Sequence, residues 1–438
     1  MTATTTTAVP AQTIRPLLPG KGITTVRELA DHLHVAAQVE LSTIPLFLYS
    51  AYSLKTQGHS QWAAQRGVLR TLIGVSIEEM LHLALVRNLM VAIGHGDEIK
   101  FYDPKFVPVF PSDMLNRNDP ADPDGARIRL ELKALSTAHV RTFRRVEQPD
   151  RIPPRAAGAV PDPAEVGQYT SLGAFYRAIE KGFAKLNKEK KISWDLANVR
   201  KQYHRGFWNE FGSGTPIRVY DYKTAKAALE LIIEQGEGST KEHERIQIRP
   251  GIEDYTHYEK FRRIEKEIEG IGAGDATSKN EISINDPRVV WPVVDNPRLK
   301  KYKSLPNVHA LMELFNACYC YTLCLLDELY QNTTKDEREE TIPGTERTEL
   351  FSRRYELERN GIAAMQGILY PIAQALVTTP VDMKHTAGPS FEFYRFGERG
   401  AETKKDELVR LCETAIGYHP KLGGDDGVRR QISLLTEI

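Results

Sequence analysis

The chain has 438 residues with 58 basic and 58 acidic side chains, so its formal net charge is zero. That balance argues against a general binder of nucleic acid or of an anionic membrane surface, and basic runs such as 188–191 have acidic neighbours and read as solvated faces. No stretch of about 20 apolar residues occurs, and residues 1–12 lack the basic start and apolar core of a signal peptide, so a soluble, cytoplasmic protein is expected. Cys318, Cys320 and Cys324 crowd one apolar segment while Cys412 stands apart, a pattern of reduced thiols.

Taken in chain order, residues 1–21 read as a flexible leader. Helical periodicity predicts a first helix over about 25–55, whose stripe runs Leu33, Ala37, Glu40, Ile44, Phe47 and Ala51. A second follows over about 60–93, with Leu72, Val75, Glu79, Leu83, Val86 and Met90 on one stripe and a turn centred near His59. Residues 94–123, rich in Pro, Asp and Gly, read as a long ordered loop, with weak strand signals at 100–101 and 127–132. A short helix carries the stripe Ser136, Val140, Phe143 and Glu147 and ends before Pro149. Five prolines in 149–166 mark a crossover linker, followed by helices over about 171–190 and 223–235 and one reaching about 269. These elements make an expected metal-binding bundle over 22–270. Residues 271–303 lack helical period and read as a linker. The C-terminal region, 304–438, should pack on the bundle through an antiparallel pair over 307–331 and 349–376, with an irregular cap from Pro380 onward.

The chemistry concentrates in one repeated pattern. Ile77-Glu78-Glu79-Met80-Leu81-His82 recurs in kind as Ile252-Glu253-Asp254-Tyr255-Thr256-His257. On a helix, a carboxylate three residues before a histidine shares its face, where one metal ion can take an oxygen and a ring nitrogen together. Glu-x-x-His is common by chance, but Glu40 and Glu79 interrupt core stripes, and a buried carboxylate costs several kcal/mol unless paired, hydrogen-bonded or metal-bound. The two glutamates also lie roughly 20 residues either side of His59, so at about 1.5 Å rise per residue they arrive level in an antiparallel hairpin. Glu40, Glu79 and His82 therefore form half of a carboxylate-bridged dimetal site, in which two helices give a lone Glu and two give Glu-x-x-His.

The string 38–49, QVELSTIPLFLY, followed by Glu78-Glu79-Met80-Leu81-His82-Leu83, resembles the ferritin-like domain family related to the violacein-pathway iminophenylpyruvate dimer synthase and its stand-alone bacterial relatives. Ser171-Leu172-Gly173-Ala174-Phe175-Tyr176, Gln235-Gly236-Glu237-Gly238, His257-Tyr258-Glu259-Lys260-Phe261 and Ala387-Gly388-Pro389-Ser390-Phe391-Glu392 agree with the same resemblance. It implies an all-α fold, a ferritin-like four-helix bundle with long insertions, a non-heme dimetal centre and a place in specialised metabolism. Ala174 departs from it, because relatives often carry an acidic residue there.

The second half of the site stays open at this level. Asp254 and His257 are the analogues of Glu79 and His82, with the shorter Asp254 reaching a metal directly or through water. Glu147 ends a helix on its apolar stripe and either completes the site or is a solvated helix end. Glu237, between two glycines that let backbone approach a metal closely, is another candidate, with Glu234 as its substitute. Glu180 sits at the edge of its helix's apolar face and reads as solvated. Tyr49 and Tyr176 are equally consistent with pocket and core. Carboxylate and imidazole donors suit two iron ions or manganese and not copper(I). The leading expectation is a dimetal oxidase or oxygenase that uses dioxygen on a small-molecule substrate. An external electron donor and a homo-oligomer are compatible with it. An iron-binding ferroxidase or storage protein and a non-catalytic ferritin-like binding protein are the alternatives.

Overall fold

The protein is described by a computed structural model over residues 22–55, 67–113, 128–148, 169, 172–203, 214–236, 246–249, 252–270, 287–331, 353–397 and 403–438. The expected leader, the turn at His59, the crossover linker at 149–166 and Glu237 lie outside the described residues.

The first two helices, α1 (Val26–Ser53) and α2 (Val68–Ala92), pack along one another and are buried over most of their length. Thr25 and Glu28 close a reciprocal cap that satisfies the first orphan N–H groups of α1. Pro45 lies inside α1, where it removes one backbone bond, and the neighbouring Ser42 hydroxyl turns back onto the Val39 carbonyl at 2.7 Å. The 3₁₀ turn Gly96–Glu98 and a small antiparallel pair, β1 (Ser112–Asp113) with β2 (Arg129–Leu130), cover one end. The strand signal at 127–132 is thus met, while 100–101 forms no strand. Instead, the backbone N–H groups of Phe101 and Tyr102 both donate to Asp327 at 2.9 Å.

Helices α3 (Thr137–Val146), α4 (Leu172–Lys188) and α5 (Tyr222–Gln235) follow. α4 and α5 pack on each other, α4 against α1 and α5 against α2, which completes a four-helix arrangement. The hairpin of β3 (Ile246–Arg249) and β4 (Ile252–Asp254) then delivers the chain to α6 (His257–Gly270), which lies beside α3. Here one expectation needs correcting. Asp254 closes β4, three residues before α6 begins at His257, so the second carboxylate-x-x-histidine element is not a helical turn and its helical spacing does not apply.

The C-terminal region centres on α7 (Pro306–Gln331), an apolar helix long enough to cross a membrane, yet 89 % of its apolar window is buried inside the protein, as befits a core helix. Against it pack α8 (Arg353–Ala363), a π-helical turn over Ala364–Leu369, α9 (Tyr370–Val377) and α10 (Lys404–Ile416), with α11 (Val428–Ser433) closing the chain on α10. The tail is therefore less irregular than expected, because Thr403 and Asp406 form a capping box that starts α10. Arg354 on α8 is buried and donates to the carbonyls of Arg200, at 2.8 Å, and Gln202, tying this region to the bundle.

A second tie runs through 287–303 and 386–392. Trp291 N–H donates to Ser53 O at 2.8 Å, Val293 pairs with Thr386, and the Tyr49 hydroxyl donates to Val294 O. Tyr49 is thus a packing residue. Gly388 faces it so closely that a Cβ there would lie 2.7 Å from Tyr49 Cζ. Gly388→Ala is expected to lower stability by about 1–3 kcal/mol through overpacking. Urea denaturation reads this out, and an unchanged midpoint would mean that this segment is not seated on α1.

Candidate metal centre

Five of the seven sequence-predicted donors converge in the interior. Glu40, Glu79, His82, Glu147 and His257 are each 3 % exposed or less. They fall into two triads, Glu40–Glu79–His82 and Glu79–Glu147–His257, and within each triad one donor atom per residue lies within 4.8 Å of the others. Glu79 belongs to both, so it stands where a bridging carboxylate would.

The long helices deliver the first triad. Glu79 and His82 are one turn apart on α2, and Glu40 meets them from α1, as the level spacing required. His82 Nδ1 is 3.5 Å from Glu40 Oε2 and 3.9 Å from Glu79 Oε1. Its other nitrogen donates to Gln235 Oε1 at 3.0 Å, which leaves the Nδ1 lone pair facing the carboxylates. Helix ends deliver the second triad. Glu147 is the C-cap of α3 and His257 is the first residue of α6. His257 Nδ1 lies 2.8 Å from Glu79 Oε1 and 3.5 Å from Glu147 Oε2, yet makes no aligned hydrogen bond to either.

Several contacts hold these groups. Tyr176 on α4 donates its hydroxyl to Glu40 Oε1, and Thr43 donates to Glu79 Oε2 at 2.7 Å. Tyr176 is thus placed beside the centre, and α4, whose Ala174 offers no donor, contributes a phenol in place of a carboxylate. Phe47, Phe143 and Phe261 lie on the stripes of Glu40, Glu147 and His257, with ring centroids 5.0 to 5.3 Å apart, and lock α1, α3 and α6 together beside the site. Gly236 brings backbone to the edge, since a Cβ there would lie 3.6 Å from Glu147 Oε2 and 3.8 Å from His82 Cε1. Of the other candidates, Glu234 is exposed, Glu180 is part-exposed on α4, and Asp254 has its backbone in β4. Neither Glu180 nor Glu234 joins the triads.

A cation fits this arrangement. Three carboxylates share an apolar interior, and Glu147 sits besides at the negative end of a helix, where an anion is disfavoured by roughly 0.3–1 kcal/mol. Burial raises the Glu40 carboxyl to about 7 despite its bond from Tyr176. Glu79 and Glu147 are raised as well, first by burial and then by their carboxylate neighbours, Glu40 for Glu79 and Glu79 for Glu147. Burial alone would strip a proton from His257, but the surrounding carboxylates of Glu147, Glu78 and Glu79 outweigh it and raise its pKa well above the ordinary value. His82 has its pKa lowered by burial. The four cysteines are free and buried, and burial pushes Cys320 and Cys324 up to about 12, so these stay thiols.

Glu78, Lys260 and Gln235 went unrecognised in the sequence. Glu78 accepts from His257 Nε2 at 2.8 Å and from Lys260 Nζ at 2.7 Å. The signal was available, because Lys260 follows His257 by one helical turn and so shares its face.

These pKa directions set a pH dependence. Glu40, raised to about 7, and His257, raised well above its ordinary value, hold a proton in the metal-free protein that metal entry must displace. Metal affinity should therefore rise with pH between about 6 and 8, by about tenfold per pH unit for each proton released. Calorimetric titration in buffers of different ionisation enthalpy counts those protons, and Glu40→Gln should release fewer. A pH-independent affinity would show that the empty cluster is already deprotonated.

Comparison with known proteins adds a family and two curated relatives. Residues 33–266 match the ferritin-like family. The chain is 26 % identical over 413 residues to dichlorochromopyrrolate synthase of Lentzea aerocolonigenes, covering 85 % of this chain and 36 % of that protein. It is 24 % identical over 426 residues to 2-imino-3-(indol-3-yl)propanoate dimerase of Chromobacterium violaceum, covering 89 % of this chain and again 36 % of the relative. The chain thus spans little more than a third of the length of either. A crystal structure of a ferritin-like protein from Caulobacter vibrioides aligns with a TM-score of 0.42 at 20 % identity, over 72 % of this chain and 91 % of that one. The family match takes in more than half of the chain and all five converging donors, and the protein belongs to the ferritin-like family.

Proposed function

We propose that the protein is a dimetal oxidase or oxygenase, using iron or manganese, that acts with dioxygen on a small organic metabolite in specialised metabolism. The observation that carries this reading is the pair of buried triads sharing Glu79. Hard carboxylate and imidazole donors suit iron or manganese, and thiolate ligands are absent from both triads. A pair of such ions bound here would supply electron transfer between an organic substrate and dioxygen.

The protein's own groups then have definite tasks. Glu79, which belongs to both triads, would donate to both ions. Tyr176 and Thr43 orient Glu40 and Glu79 by donating hydrogen bonds to their carboxylates. The Phe47–Phe143–Phe261 cluster keeps water from one flank, which limits oxidation without product. The relatives support the substrate class. One is named a dichlorochromopyrrolate synthase and the other a dimerase of an indolyl imino acid, and coupling two such molecules with loss of two hydrogens would be an oxidation with dioxygen as the acceptor. An aromatic 2-imino acid is accordingly the first substrate to try.

Anaerobic ferrous titration of the apoprotein should saturate at about two ions per chain. Glu79→Ala should lose both with little loss of stability, since it opens two positions while removing a buried charge. Oxygen uptake should then continue catalytically with an imino acid. Saturation near zero would sink the dimetal reading, and uptake only in proportion to added iron would replace it with a ferroxidase.

A further inference from the structure

The two imidazoles of the centre are held by unlike partners. His82 donates Nε2–H to Gln235 Oε1, a neutral amide, at 3.0 Å. His257 donates Nε2–H to Glu78 Oε2 at 2.8 Å, and both oxygens of Glu78 accept from Lys260 Nζ at 2.7 Å. Glu78 is 2 % exposed, and the Lys260 side chain is 12 % exposed. The geometry has a simple origin. Successive residues on a helix point about 100° apart, so Glu79 reaches the triads while Glu78 turns toward α6, where His257 and Lys260 stand one turn apart.

From this contrast we infer that the two metal positions are inequivalent, and that Glu78, anchored by Lys260, is a positioning residue that makes the His257 position the tighter of the two. The inference rests on the dimetal reading above. A carboxylate acceptor bonds an imidazole N–H about twice as strongly as a neutral one, and it pushes electron density through the ring onto Nδ1, making that nitrogen a stronger metal donor. It also locks the tautomer and the ring plane. The amide of Gln235 locks the tautomer of His82 without adding that charge. Lys260 balances Glu78, which lets a full carboxylate persist in the interior without adding net negative charge to the three already present.

The filling order follows. One ion enters at Glu79, Glu147 and His257, and the second completes Glu40, Glu79 and His82 at higher concentration. Manganous titration of the full-length apoprotein under anaerobic conditions, followed by electron paramagnetic resonance, separates the steps, because a lone ion and a coupled pair give different spectra. The wild type should show a lone-ion signal up to one equivalent and a coupled signal thereafter, with affinities at least about tenfold apart. Glu78→Gln should weaken the first step by about 10–100-fold and leave the second nearly unchanged. A general loss of structure would weaken both. Gln235→Glu should narrow the gap from the other side by tightening the second step. Should Glu78→Gln fold poorly because Lys260 is left unpaired, Glu78→Gln/Lys260→Met removes both charges and carries the same expectation. A wild type that binds no ion fails at the level of the proposed function. Two equal steps in the wild type, or a first step untouched in both Glu78 variants, overturns the inequivalence and leaves the dimetal reading intact.

Discussion

Three carboxylates and two imidazoles packed into an apolar interior constrain everything else in this protein. Each buried carboxylate costs several kcal/mol unless something cationic or hydrogen-bonding repays it. The surroundings repay in part, since Tyr176 and Thr43 donate to Glu40 and Glu79, while Gln235 and Glu78 hold the imidazoles. A cation bound there would offset the rest of the cost, and the aromatic contacts among α1, α3 and α6 hold the donor-bearing helices together.

How much of this was legible in the sequence depended on helix length. Glu40, Glu79 and His82 were readable because α1 and α2 run for 28 and 25 residues, long enough for a stripe to show phase and for equal distances from a turn to predict equal height. Glu147 was legible as a stripe residue, but nothing local said that the end of α3 would meet α2. That placement comes from α3 packing on α6, a contact between segments more than 100 residues apart.

The misreadings have equally local causes. The repeat at Asp254 looked helical because spacing alone cannot tell a helical turn from a strand running into a helix start. β3 and β4 pair there and place Asp254 in the hairpin. Helices α10 and α11 were passed over because glycines and prolines nearby dominated the reading, although Thr403 and Asp406 carry the start signal of α10. Glu78 was overlooked for another reason. Next to a ligand, a second glutamate resembles an ordinary surface charge, and only the partner helix reveals that it is buried against His257 and Lys260.

The division of donors between long helices and helix ends has a consequence for how such a centre can vary. Glu40, Glu79 and His82 ride on two helices in register, so sliding α1 against α2 by one turn, about 5.4 Å, would dismantle that half at once. Glu147 and His257 hang from a C-cap and a first turn, so each can shift with the end of its own helix without sliding α1 against α2. One half of the centre is therefore fixed by the register of two long helices. The other is set by where two shorter helices stop and start, so changes there leave the first three donors where they are.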